Sequence, residues 1–71
     1  MSAAAIARNH FAAAIAEVEQ AGEETDAFCR SLLGLVVAKY LESRSVKDVQ
    51  SELRFVADNC DPDTDHIFMR P

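Results

Sequence analysis

Four residues in this sequence have side chains that could bind a metal ion together: His10, Cys29, Cys60 and His66. Two thiolates and two imidazoles form a suitable donor set for one tetrahedral zinc. Structural zinc sites usually supply their ligands in closely spaced pairs, and none of these four is so paired. They would have to converge from three helices and the C-terminal tail. The spacing therefore predicts no metal site. Cys29 reads as a small buried hydrophobe, and Cys60 as a free thiol near a helix end.

Cys60 and His66 could also serve as nucleophile and base, with Asp61, Asp63 or Asp65 orienting the imidazole. The same acids disfavour the thiolate that would have to attack. A chain this short also makes no deep pocket of ligand size. The alternation of Asp61, Asp63 and Asp65 resembles the opening of a calcium loop of the EF-hand kind. That loop needs Gly at its sixth position, where this chain has His66, and its twelfth position falls beyond Pro71. A turn capped by Asp side chains beside Pro62 is the expectation instead. There is no Gly-rich phosphate loop and no serine elbow. The sequence predicts neither an enzyme nor a cofactor.

The chain has 71 residues and a net charge of −5, and 49% of it is apolar. That length suits one helical domain spanning 1–71. Acidity argues against a phosphate backbone as ligand and against anionic membranes. The longest apolar run, Leu32 to Ala38 with Gly34 inside it, is far too short to span a bilayer. No basic stretch precedes an apolar one at the N-terminus, so cytoplasmic residence is expected. At this size hydrophobic burial and chain ordering nearly cancel, so a partner subunit would add real stability.

Two Gly and two Pro among 71 residues, with twelve Ala, favour long helices. The first is predicted over about 3–20, capped by Ser2 and stopped at Ala21-Gly22, with Gly22 in the left-handed conformation. Ala4, Ala7, Phe11, Ala14, Ile15 and Val18 form its apolar stripe. The second is predicted over about 27–42, capped by Thr25 or Asp26. Phe28, Leu32, Leu35 and Val36 line one side of it, and Cys29, Leu33, Val37, Tyr40 and Leu41 another. A helix apolar on two sides is expected to be buried centrally. The third is predicted over about 45–59, opened by a capping box at Ser45-Val46-Lys47-Asp48 and ended by a left-handed Asn59. Its stripe is Val46, Val49, Leu53 and Val56, with Phe55 lying off it. The fold class is thus all-α, a small three-helix bundle, with the C-terminal tail (Ile67, Phe68 and Met69 above all) packed on it.

Ala27, Ser31, Gly34 and Ala38 give the second helix one side made only of small residues. Gly in a helix interior costs roughly 1 kcal/mol relative to Ala, which is tolerable where another backbone packs closely. Two readings of this strip stand open: a seam at a subunit interface, or an incidental strip within the core of a single chain. Together with Phe55 it supplies the contact residues expected here. The acidic clusters Glu17, Glu19, Glu23, Glu24, Asp26 and Asp58, Asp61, Asp63, Asp65 read as solvated charge. A three-helix DNA reader would use the third helix. Lys47 and Arg54 are there, but Asp48, Glu52 and Asp58 would repel phosphate. The function expected is a non-catalytic protein–protein interaction module, either a homodimer or a small adaptor, inhibitor or regulatory protein docking on a larger partner, with no nucleic acid and no membrane involved. The alternative is a metal-binding or DNA-binding regulatory domain.

Overall fold

The structure is a computed structural model, and it describes residues 1–61. Three helices follow in order: α1, Ala3–Ala21; α2, Thr25–Leu41; and α3, Val46–Asp58. No strand occurs among the described residues. The all-α, three-helix architecture is the one the sequence predicts. The expected packing of Ile67, Phe68 and Met69 falls outside the described residues.

Local chemistry sets most of the boundaries. The Ser2 hydroxyl accepts from the Ala5 N–H at 3.1 Å, meeting one of the helix's orphan donors. At the other end Gly22 turns left-handed, with φ 72°. Its N–H donates to the Glu19 carbonyl at 3.2 Å, and the Glu23 N–H donates to that of Val18 at 3.1 Å. This pair of bonds is a Schellman motif, and it closes α1 where expected.

α2 begins two residues earlier than Ala27. The Phe28 N–H donates to the Glu24 carbonyl at 3.1 Å, so the chain is already helical at Thr25. Thr25 and Asp26 lie in the first turn and do not cap it. There Asp26 faces the positive end of the helix dipole and pairs with Arg30 one turn on, at 2.8 Å.

The Ser45 hydroxyl caps α3 by accepting from the Asp48 N–H at 3.1 Å. Asp48 does not complete a symmetrical box, because its carboxylate lies 3.8 Å from Arg44 Nε. Asn59 ends α3 without turning left-handed; its φ is −111°. Its side-chain Nδ2 instead donates to the Phe55 carbonyl at 2.8 Å, a second bond to an oxygen that also accepts the Asn59 N–H at 3.1 Å.

The chain divides into two compact units, one from Met1 to Leu35 and one from Val36 onward. In the first, Ala14, Ile15 and Val18 of α1 are half-buried, as are Phe28 and Leu32 of α2. The Phe11 and Phe28 rings meet at 6.1 Å between centroids, tilted by 35°. In the second, Val37, Tyr40, Leu53, Phe55 and Val56 are half-buried, and Val49 is 3% exposed. Val49 is the one buried hydrophobe among the described residues. Val46, expected on the inner stripe of α3, sits at its first turn and is 61% exposed.

The expected central burial of α2 is not found. Leu33, Leu35, Val36 and Leu41 are all well exposed, and Cys29 is exposed rather than buried. The reason is geometric. Within each unit a single helix packs on α2, and one neighbour covers only one side. The α1 neighbour is also largely alanine, whose short side chain shields little area.

Candidate interaction surface

Ala27, Ser31, Gly34 and Ala38 are all exposed. They recur at helical spacing along α2, so they share one side of it. A Cβ built on Gly34 would meet nothing within 4 Å. The strip is therefore not a packing seam between described parts of this chain. Helical geometry puts Leu35 and Leu41 on its two flanks, and these are 68% and 45% exposed.

Phe55 stands apart from the strip. It lies on α3, is half-buried, and its carbonyl is held by Asn59. The structure joins the four α2 residues on one helix side and leaves Phe55 engaged within the second unit.

The second unit also holds a constellation that sequence reasoning missed. The Arg44 guanidinium lies over the Tyr40 ring, 4.8 Å from its centroid. The same group reaches Asp48 at 3.8 Å and Glu52 at 3.6 Å, and Nη2 lies 3.5 Å from the Asp48 carbonyl oxygen. Residues 40, 44, 48 and 52 are each four apart, which was a readable signal. It was hidden because the chain leaves one helix and enters another inside the series. Arg44 sits in the turn, where the N–H groups of Ser43 and Arg44 both donate to the Tyr40 carbonyl.

Arg44 changes how the charges of α3 are spent. Asp48 and Glu52 lean toward it, while Lys47 and Arg54 are exposed with Asp58 nearby on the helix. The first acidic cluster, Glu17 to Asp26, is exposed throughout its charged members.

His10 is exposed, and Cys29 and Cys60 are exposed free thiols. Among the described residues no three His, Cys, Asp or Glu side chains gather closely enough to hold a metal ion. His66, Asp63 and Asp65, on which the Cys60–His66 pairing and the calcium-like loop depend, lie outside the described residues. No described helix is long and apolar enough to cross a membrane. Compared with known proteins, the chain matches no family model, no curated protein and no solved structure.

Proposed function

We propose that this chain is a non-catalytic protein–protein interaction module that associates with a second copy of itself through α2. One observation carries the reading: α2 is apolar nearly all round, yet none of its residues is buried. Such a helix is normally enclosed on every side, and exposed apolar surface of this kind marks an interaction site. Leu35 and Leu41, 68% and 45% exposed, flank the small-residue strip, and Leu33 and Val36 are exposed on other sides of the same helix. The small-residue strip beside Leu35 and Leu41 would let a second helix approach closely.

A second copy is the partner the composition favours. A chain of 71 residues is near the limit for standing on its own core, and burial of α2 would extend that core. An identical helix brings the same small strip and the same flanking leucines, which suits a two-fold interface. Cytoplasmic residence goes with this reading, since exposed thiols persist in a reducing compartment.

Light scattering on a sizing column, at several concentrations, tests the proposal. A mass of twice 7.8 kDa that persists on dilution supports it. A mass of 7.8 kDa at every concentration overturns it.

A further inference from the structure

We draw no further inference here: the strongest candidate, the exposed apolar residues Leu33 and Val36 on the sides of α2 away from the small-residue strip, is an unpartnered apolar surface, and nothing in the structure shows what covers it.

Discussion

The Arg44 guanidinium rests 4.8 Å from the centre of the Tyr40 ring, with Asp48 and Glu52 both within 4 Å of its nitrogens. It ties the end of α2 to the first two turns of α3. The contacts are long and partly solvated, so each is worth little alone. Arg44→Ala should lower stability by about 1 kcal/mol, the sum of a modest cation–π contact and weak ion pairs. Arg44→Lys should recover only part of this, because a point charge cannot stack flat on the ring. Urea unfolding with an unchanged slope measures both. A wild-type midpoint for Arg44→Ala would show that the cluster does not stabilise the turn.

The helix caps make a second set of predictions. Ser45→Ala removes the acceptor for the Asp48 N–H and should cost about 1 kcal/mol. Asn59→Ala removes the side-chain donor to the Phe55 carbonyl, which keeps the residue 59 N–H, and should cost less, about 0.5 kcal/mol. Ser45 and Asn59 lie at opposite ends of α3 and share no partner, so the double variant should show nearly additive loss. Strong non-additivity in denaturant unfolding would mean that α3 does not melt as one unit.

What the sequence made legible follows from the range of the forces involved. Ser2, Gly22 and Ser45 act through bonds to residues within a turn or so of them, so their roles could be read from local identity alone. The stripe of α1 could be read only in part: its period is local and Ala14, Ile15 and Val18 are half-buried, but Ala4, Ala7 and Phe11 of the same stripe are exposed. The burial of α2 could not. Its apolar residues state that the helix prefers cover, not whether this chain supplies it. Leu35 at 68% exposure is where that preference goes unmet. Asn59 was misjudged for a different reason. Its side chain can cap a helix end either by a left-handed backbone or by a direct bond, and residue type does not distinguish the two. Arg44 was missed because its partners straddle a helix break.

The chain's two glycines should respond in opposite directions to Ala. Gly22 has φ 72°, a conformation that costs an L-residue about 1–2 kcal/mol, so Gly22→Ala should destabilise. Gly34 sits inside α2 with open space in the single chain where a Cβ would go, so Gly34→Ala should stabilise the unassembled chain, at concentrations too low for self-association, by roughly 0.5–1 kcal/mol. Thermal melts of the two variants, followed by circular dichroism, compare them directly. If Gly22→Ala raised the melting temperature, the left-handed cap would be wrong.

The metal-binding and DNA-binding alternatives make contrary predictions. The interaction-module reading expects no rise in melting temperature with zinc or calcium, since a ligand bound only by the native state must raise it. It also expects no salt-sensitive binding to duplex DNA, even at low ionic strength, for a chain of net charge −5. Lys47 and Arg54 are the residues to mutate should such binding be seen. A clear melting shift with either ion, or retention of DNA at low salt, would favour the corresponding alternative.

Self-association is most sharply tested at Gly34 and Leu35. Gly34→Leu places a branched side chain on the strip, where nothing of the described chain stands in the way, so each copy should still fold. A second helix seated there would be forced outward, and the assembly should fall to 7.8 kDa by light scattering. Leu35→Glu should do the same by another route. At 68% exposure the new carboxylate stays solvated in the single chain, but in a dimer it would lose water without gaining a partner. Helical content by circular dichroism should be retained in both variants, which separates loss of assembly from loss of folding. Exposed Lys39→Ala on the same helix serves as the control and should leave the mass unchanged. If both Gly34→Leu and Leu35→Glu remained dimeric, the interface would lie elsewhere, and the apolar exposure of α2 would need another explanation.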